Sequence, residues 1–492
     1  MVWLYVLLGL LSILYFLVTW NHSYWKKRGI PYLQPLPLVG NMLDSFLRRK
    51  NAAQIYADIY SKFPKEPICG FYKMLTPSLV IRSPKLIQQV LVKDFYSFHD
   101  NDIYMAKEVD PYINRNPFVS TGDDWKINRA AMSPAFTSGK LKNVFPLMKD
   151  ISHQMEDYLD NNLSKYIEAK ELAFLFSSDI IANCAFGIKS NSFMERDHLF
   201  QKLSEKLMEN FHSPFFAFAI TTLPALGRIL KLRFVPEDVY KFLKEALMQV
   251  KEHREKNNIV MNDYADFILA SSNKRMSNEE NPEVVMLSHA VSFFLDGLET
   301  SSIAGSFVIY ELALNPHIQD KLRQEISSVF KKRDDLDFEA LQKLPYLHQV
   351  ISEALRKYPP GLAVKKLCTQ TVTLDVDGVP LTVHKGTPVA IPLYALHHDP
   401  DYYPDPDKFD PERFTEENIA SRPQCTYLPF GEGPRMCVGF RFALLQIKLL
   451  IAILLLKYAI KSGDRTPKKI NLNPLDLLAS SMEGMYIKIE KY

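Results

Sequence analysis

The hydrophobic pattern of the chain begins with a continuous apolar run. Residues 1–20 carry no charged side chain and consist mostly of Leu, Val, Ile, Tyr and Trp. About twenty such residues are enough to cross a bilayer as a helix. Lys26, Lys27 and Arg28 follow, and no basic residue precedes the run. The positive-inside rule therefore predicts a single transmembrane anchor over 1–20, with a lumenal N-terminus and a cytoplasmic body.

A cleaved signal peptide is the alternative interpretation of this run. It requires a basic segment at the start, a shorter apolar core and a small-residue cleavage site. The first is missing and the other two fit poorly, so a retained anchor is favoured. Residues 21–40 are basic and then rich in proline, which predicts a stiff hinge. No Gly/Ser-rich or Pro-rich linker interrupts 41–492, which is therefore expected to be one domain.

The longest helical pattern runs from Pro282 to Asn315. Asn281 is a good N-cap, proline suits the first turn, and Pro316 ends the pattern. Such a helix is about 45 Å long. Its middle is apolar on all faces apart from His289, Asp296, Glu299 and a few hydroxyls, so the helix is expected to run through the core.

Shorter patterns predict the rest of the secondary structure. A second apolar helix extends from Val438 to about Lys457 and is too short to span a bilayer. Strands are expected over Ile68–Tyr72 and Ser78–Arg82. The alternating segment Thr371–Ala390, with Asp377-Gly378 as the turn, predicts a β-hairpin. The fold class is therefore mainly α with small β-sheets.

Composition and charge exclude several classes of protein. The chain has 492 residues, of which 47% are hydrophobic and 23% charged, and its formal net charge is +3. This is a globular composition, and the small charge gives no reason to expect a nucleic-acid partner. The cysteines are scattered, at positions 69, 184, 368, 425 and 437, without zinc or disulfide spacing. A reducing compartment is therefore expected for the body of the chain.

One of these cysteines, Cys437, lies in a loop rich in glycine and proline just before the second apolar helix. The positive end of the helix dipole and nearby N–H groups favour a thiolate there, and a thiolate is a soft ligand suited to iron. Arg435 matches the geometry of a carboxylate. A buried free cysteine is the alternative interpretation.

The loop carries the pattern Phe-x-x-Gly-x-Arg-x-Cys-x-Gly, formed by Phe430, Gly433, Arg435, Cys437 and Gly439. It resembles the haem-binding loop of the cytochrome P-450 superfamily of haem-thiolate monooxygenases. The resemblance implies that Cys437 is the axial thiolate ligand of haem b and that Arg435 binds a haem carboxylate, with Phe430 and Gly433 beside the cofactor. It also implies the triangular, mainly α cytochrome P-450 fold, and the wording is similar to the insect detoxification branch.

Other segments resemble propionate-binding parts of the same family. Trp125 and Arg129 are four residues apart and share a helix face, and residues 133–142 continue as in the family's C helix. The resemblance implies that both side chains bind a propionate. Arg115 is expected to do the same. Lys366 stands where the family commonly has arginine, so it keeps the charge but loses the bidentate geometry.

The long helix contains Asp296-Gly297-Leu298-Glu299-Thr300, which resembles the oxygen-binding I helix of the family. Glycine costs about 1 kcal/mol in a helix, and close approach of a flat cofactor is one reason for it. Thr300 is expected to bond back to a carbonyl. The resemblance implies that Glu299 and Thr300 relay protons to iron-bound dioxygen. Asp296 stands where the family has Ala or Gly, and either faces away from the haem or takes part in proton entry.

Two further motifs resemble the family's K helix and the element that follows it. They are Glu353-x-x-Arg356 and Pro411-Glu412-Arg413-Phe414. The resemblance implies one buried network of Glu353, Arg356 and Arg413 that holds the cysteine loop. His397 and His398 have no partner pattern for a metal site, so we interpret them as structural or surface residues.

Two surfaces are expected from the remaining patterns. Residues 211–235 are apolar but broken by prolines. They are either a buried connection or, by resemblance, the F–G region that covers the substrate pocket and dips into the membrane. Two interpretations fit the basic residues Lys126, Lys140, Lys142, Arg441 and Lys448. They are either scattered cations that keep the protein soluble or one basic patch that steers an acidic electron donor.

The resemblance implies a microsomal monooxygenase that inserts one oxygen atom of O2 into a small lipophilic substrate. Electrons would come from NADPH through NADPH–cytochrome reductase, with cytochrome b5 as a further partner, at the endoplasmic reticulum membrane. Two alternatives stay open, a haem-thiolate isomerase or dehydratase that needs no reductase, and a non-enzymatic haem or lipid carrier. The substrate itself is not encoded in any motif of the chain.

Overall fold

The computed structural model describes residues 2–188, 190, 192–194, 202–203, 205–207, 213, 215–216, 224–271 and 281–492. The fold is mostly helical with small sheets, as the sequence predicts. The helices are, in chain order, α1 (Val2–Thr19), α2 (Leu43–Phe46), α3 (Ala52–Lys62), α4 (Pro84–Gln88), α5 (Gly122–Met132), α6 (Ser138–Asp160), α7 (Ala169–Phe186), α8 (Pro224–Ile229), α9 (Glu237–Asn257), α10 (Tyr264–Ser271), α11 (Pro282–Leu314), α12 (Pro316–Val329), α13 (Phe338–Gln342), α14 (Pro345–Lys357), α15 (Leu393–His397), α16 (Glu416–Ser421) and α17 (Phe440–Lys457).

The strands of the described residues form three small sheets. The strands are β1 (Ile68–Lys73), β2 (Thr76–Ile81), β3 (Asp100–Asn101), β4 (Tyr166–Glu168), β5 (Val364–Leu367), β6 (Val372–Val376), β7 (Val379–Val383), β8 (Pro388–Ile391), β9 (Tyr458–Lys461) and β10 (Tyr486–Lys491). The largest sheet has the order β1-β2-β8-β5-β3, the second β4-β10-β9, and the third is the pair β6-β7. In the largest sheet β3 pairs with β5, so two segments that are distant in sequence lie side by side.

The long helix α11 is the centre of the core, as its apolar pattern predicts. Asn281 caps it by accepting a hydrogen bond from the N–H of Glu283 at 3.0 Å. It packs against α7 and α17. Gly297 allows this close packing, since a Cβ there would lie 2.9 Å from Ile181 of α7. Packing against Ile181 is therefore one reason for this glycine, and the approach of a flat cofactor stays a prediction.

Two predicted elements differ in their bounds. The second apolar helix begins at Phe440 and not at Val438, because Gly439 is its N-cap. The segment predicted as one hairpin divides, with Asp377-Gly378 joining β6 to β7 while β8 leaves to pair with β2 and β5. Asp377 and Gly378 have φ of 51° and 88°, which are the values that a tight hairpin turn requires.

The first helix, α1, is the one described helix that is long and apolar enough to cross a membrane. Its 18 residues have a mean hydropathy of 2.3, and all but Val18 lie outside the core. The proline-rich segment that follows is docked on the body and does not extend from it as a hinge. Gly70 of β1 donates to the Pro31 carbonyl at 2.8 Å, and Trp25 is buried against this glycine.

Two expected surfaces change in the structure. Lys448 is buried and donates to the carbonyl of Gln342 at 2.8 Å, so it does not belong to a basic surface patch. Burial lowers the pKa of Lys448 to about 8. Much of the expected lid, 211–235, lies outside the described residues. Within its described part Phe216 is buried, whereas Ile229 is exposed.

Candidate active site

The Cys437 loop is closed by backbone hydrogen bonds. The N–H of Cys437 donates to the carbonyl of Phe430 at 2.8 Å. Arg129 of α5 holds the same turn, since its Nη1 donates to the carbonyl of Met436 at 2.7 Å. The N–H of Gly439, the N-cap of α17, is directed at the Cys437 sulfur. Three separate segments therefore fix the position of this thiol.

The environment of Cys437 is an enclosed interior space. The side chain has exposed surface, yet burial raises the pKa of its thiol to about 11. The two observations agree when the sulfur faces an interior space and not bulk solvent. The N–H of Gly439 and the charge of Arg129 lower this pKa, as the sequence predicts, but burial outweighs them. A coordinated metal deprotonates such a thiol outright, so the site suits a metal ligand better than a free thiolate.

Gly433 of the loop has a packing reason to be glycine. Its φ is +73°, and a Cβ would lie 2.2 Å from the carbonyl oxygen of Leu91. Gly431 shares the positive φ, but the nearest atom to its Cβ would be 3.8 Å away. The loop that carries Cys437 therefore packs directly against the backbone at Leu91.

Arg435 is built into the wall of the same space. Its Nη1 and Nη2 donate to the carbonyls of Pro117 at 3.1 Å and Ser120 at 2.6 Å. Its guanidinium carbon lies 4.7 Å from the ring centroid of Trp125, and Nη2 is 3.5 Å from Asp100 Oδ1. Arginine and tryptophan are thus brought together although 310 positions separate them in the sequence.

Lys366 completes a cluster of cations with Arg435 and Arg129. Its Nζ donates to Asn101 Oδ1 at 3.0 Å across the β3–β5 pair. Burial, and then the charge of Arg435, lower the pKa of Lys366 to about 7. Burial lowers the pKa of Arg435 to about 10, and the charge of Arg129 adds to this effect. Arg435 is therefore within electrostatic range of both Lys366 and Arg129.

These residues fit the carboxylates of a haem. Buried like charges repel one another and are stable only beside anions. Asp100 opposes the charge of both Lys366 and Arg435. The Nε of Arg435 is also buried without a hydrogen-bond partner in the described part of the chain. Two propionates would supply the negative charge and the acceptor that this wall needs.

Arg115 lies on another part of the wall. It ends the one-turn helix Ile113–Arg115, which packs near α11. Burial lowers the pKa of His289 to about 4, and the charge of Arg115 contributes in the same direction. Arg115 is therefore close to His289 of α11, whereas its expected contact with a propionate stays a prediction.

Thr300 and Glu299 point to different neighbours. The Thr300 hydroxyl donates to the carbonyl of Asp296 at 2.6 Å, as expected for a helical threonine. Glu299 Oε1 lies 2.8 Å from Nζ of Lys170, which also donates to Ser302 at 2.6 Å. Consecutive helix residues are about 100° apart, so the acid faces α7. The two do not share a direct hydrogen bond among the described contacts.

Asp296 has partners that the sequence analysis missed. Asn116 Nδ2 donates to Asp296 Oδ2 at 2.8 Å and to Ser292 Oγ at 3.0 Å. The sequence carries no signal for this group, because Asn116 is 180 positions away from the aspartate. Asp296 thus has an orientation fixed by Asn116, and its two predicted roles relative to the haem stay predictions.

Glu353 and the two arginines form the expected buried network. Glu353 and Arg356 are fully buried and pair at 2.7 and 2.8 Å. Arg413 Nε lies 3.4 Å from Glu353 Oε1. Burial raises the pKa of Glu353, while Arg356 lowers it.

His397 connects this network to the cysteine loop, a role that the sequence did not indicate. Arg356 Nη1 donates to the His397 carbonyl at 2.9 Å, and the Leu428 N–H donates to His397 Nε2 at 2.9 Å. Burial is the main reason why the pKa of His397 falls to about 3. It is therefore a neutral structural histidine, as expected.

Comparison with known proteins agrees with this geometry. The family model described as Cytochrome P450 matches residues 30–487. The chain is 35% identical to cytochrome P450 6k1 of Blattella germanica, over 99% of this chain and 97% of the relative. It is 35% identical to probable cytochrome P450 6a23 of Drosophila melanogaster, over 98% and 97% of the two chains. It is 32% identical to cytochrome P450 9e2 of Blattella germanica, over 99% and 98%.

The relatives come from insects, in agreement with the predicted branch. The match over almost the whole chain, and the naming of these relatives as cytochromes P450, support an enzyme and not a non-enzymatic carrier. The chain belongs to the cytochrome P450 family and is a haem-thiolate monooxygenase.

Proposed function

We propose that the protein inserts one oxygen atom of O2 into a small lipophilic substrate, with electrons from NADPH delivered by NADPH–cytochrome reductase. The observation that supports this most is the Cys437 thiol, which faces an interior space beside the buried Lys366, the largely buried Arg435 and the half-buried Arg129. When bound, haem supplies the oxygen chemistry, and a thiolate ligand favours cleavage of the O–O bond.

The residues of the wall orient the cofactor in this proposal. Cys437 binds the iron from a loop that Phe430 and Gly433 shape. Arg435 and Lys366 bind propionates, since they are the most buried cations of the cluster. Arg129, Trp125 and Arg115 are assigned the same role. Because the lysine forms single hydrogen bonds and not a bidentate pair, its contact is the weaker one.

Glu299 and Thr300 handle protons in this proposal. The Glu299–Lys170 pair is partly exposed, with 19% and 26% of the side-chain surfaces accessible. Glu299 Oε1 can therefore exchange a proton with solvent. The Thr300 hydroxyl donates to a backbone carbonyl, which leaves its oxygen lone pairs able to accept a proton donor from the substrate side.

A basic surface near the cysteine loop is assigned to the electron donors, the reductase and cytochrome b5. Arg441 at the start of α17 is 3.5 Å from Ser138 at the start of α6, which also carries Lys140 and Lys142. Opposite charges steer such encounters. The apolar helix α1 is assigned as a single-pass anchor in the endoplasmic reticulum membrane, with its N-terminus lumenal and the catalytic domain cytoplasmic.

The test is the absorbance spectrum of the reduced protein with carbon monoxide. Purified protein is expected to show the red-shifted Soret band of thiolate-ligated haem, and Cys437→Ser is expected to abolish it. Cys425→Ser is the matched control, because Cys425 is a half-buried cysteine of the same region. A normal band in Cys437→Ser overturns the assignment of the ligand.

A second measurement separates the monooxygenase from an isomerase or dehydratase. Turnover of lipophilic compounds is followed with reductase, with and without NADPH. Oxygenated product that requires both NADPH and reductase is expected. Product that forms equally well without NADPH contradicts the proposed electron supply.

A further inference from the structure

Asp296 is a carboxylate with a fixed orientation on an otherwise apolar helix. The amide of Asn116 donates to Asp296 Oδ2 at 2.8 Å and also to Ser292 at 3.0 Å. Asn116 is itself buried, in the segment that lies across from α11. An oriented amide in a buried position restricts the rotamers of the acid and so fixes which oxygen of Asp296 faces away from Asn116.

The open side of Asp296 faces the space that Cys437 also faces. The side chain has exposed surface, yet burial raises the pKa of its carboxyl to about 6. Its charge is also felt at the Cys437 sulfur. Thr300 is one turn further along the same face, since its hydroxyl reaches the Asp296 carbonyl. Asp296 therefore belongs to the wall of the substrate side of the site.

The charge of Asp296 is incompletely satisfied by the residues that the structure describes. Among them Asn116 provides one donor, whereas a carboxylate accepts about four hydrogen bonds. Glu299, three residues away, has a lysine ammonium at 2.8 Å. A buried anion without a cationic partner is costly, so the site favours a ligand that brings one.

We propose that Asp296 binds the positively charged nitrogen of a lipophilic basic compound, so that amines are the substrate class of this enzyme. This inference rests on the proposed function. The apolar remainder of the pocket would take the hydrocarbon part, and the carboxylate would fix the nitrogen beside Thr300. Anionic compounds such as fatty acids would be repelled from the same position.

The probes are a matched pair of ligands, 4-phenylbutyltrimethylammonium and its neutral isostere (5,5-dimethylhexyl)benzene. The quaternary nitrogen carries a permanent positive charge and has no lone pair, so it cannot bind the haem iron. The measured affinity therefore contains no contribution from iron ligation. Equilibrium dialysis of both probes against the detergent-solubilised holoenzyme gives the ratio of their affinities. Each probe partitions into the detergent to the same extent whichever variant is present. The ratio of the two affinities is therefore compared between variants.

Four proteins are compared. Asp296→Asn is expected to lower the preference for the cation about ten-fold, the loss that corresponds to a charged contact. Asp296→Glu keeps the charge and is expected to retain most of the preference. Glu283→Gln removes another negative charge of α11, in an exposed pair with Lys244, and is expected to leave the preference of the wild type unchanged.

The reduced carbon monoxide spectrum of each variant is recorded alongside. Absence of the thiolate band in the wild type contradicts the proposed function. A normal band combined with equal cation preference in wild type and Asp296→Asn overturns this inference alone. An equal loss in Asp296→Asn and Glu283→Gln also overturns it, because the loss of preference would then follow from the removal of any negative charge on α11.

Discussion

The backbone N–H of Leu428 donates a hydrogen bond to Nε2 of His397 at 2.9 Å, and both residues are fully buried. Nδ1 of the same ring lies 3.2 Å from the carbonyl of Arg356. The imidazole therefore joins the charged network of α14 to the segment that leads into the cysteine loop. A neutral ring with one donor and one acceptor nitrogen satisfies both backbone groups.

Removing this ring is expected to destabilise the protein and reduce its haem content. His397→Ala leaves the Leu428 N–H buried without an acceptor, which costs about 1–3 kcal/mol in addition to the cavity. His397→Gln keeps an acceptor and is expected to lose less. Thermal unfolding and the haem-to-protein ratio measure both effects. Equal losses in the two variants would contradict a role for the hydrogen bond.

The same ring is expected to make the protein acid-sensitive. The pKa of His397 is about 3 in the folded protein and 6.5 for the free side chain. Between these pH values the unfolded chain binds a proton at His397 and the folded protein does not. The contribution of the neutral His397 to the free energy of unfolding is therefore fully present above pH 6.5. It decreases as the pH falls below 6.5, by at most about 1.4 kcal/mol per pH unit. Unfolding by urea at pH 7 and pH 5 is expected to show a smaller decline in His397→Gln. His289 and His398, with pKa values of about 4, keep part of the decline.

Breaking the Glu353 pair is expected to prevent haem incorporation. Glu353→Ala leaves Arg356 as an uncompensated buried charge, which costs about 3–5 kcal/mol. Glu339→Ala breaks an exposed pair with Lys142 and is the control, since such pairs contribute about 0–1 kcal/mol. Haem content after purification is the measurement. Normal haem content in Glu353→Ala would show that the network does not hold the loop.

Two glycines of the loop give a matched pair for substitution by alanine. At both positions alanine adopts a positive φ, which costs about 1–2 kcal/mol. At Gly433 the added methyl also meets the Leu91 carbonyl, so the loop must move. Gly433→Ala is therefore expected to lower the midpoint of thermal unfolding and the haem content more than Gly431→Ala. The reverse order would contradict the packing assigned to Leu91.

Haem uptake is expected to depend on pH through Lys366. Without haem the pKa of Lys366 is about 7, and a propionate beside it raises this value. Over pH 7 to 9 the propionate contact takes up a proton at Lys366, whereas coordination of the Cys437 thiol, whose pKa is about 11 without haem, releases one, so the two effects on haem affinity oppose each other. Lys366→Met is expected to bind haem more weakly at pH 7 and to show a haem affinity that rises more steeply with pH than that of the wild type. Titration of the apoprotein with haemin measures it, and parallel curves for the two proteins would exclude the proposed contact.

Local patterns in the sequence were enough for the elements and the cysteine loop. The helix α11 follows from one cap, two prolines and an apolar composition, all of which act within a few residues. Its bounds agree with the prediction within one residue. The predicted start of α17 was wrong, because the N-cap at Gly439 delays the helix to Phe440. The predicted single hairpin was also wrong, because β8 pairs with β2.

Side-chain partners were harder to predict than elements. The sequence placed Lys448 on a basic surface, but the fold buries its Nζ at the end of α13. It gave no indication that Asn116 orients Asp296 or that His397 supports Leu428. Each of these contacts joins segments that are 31 to 180 positions apart.

By itself, the sequence determined the long central helix, the apolar N-terminal helix and the residue types around Cys437, because capping, periodicity and spacing act along the chain. Only the tertiary structure decided that Arg435, Arg129 and Lys366 form one cluster and that Asp296 faces the interior with Cys437. The physical reason is that charge, burial and hydrogen bonding act through space, and their partners come from segments that only the folded chain brings together.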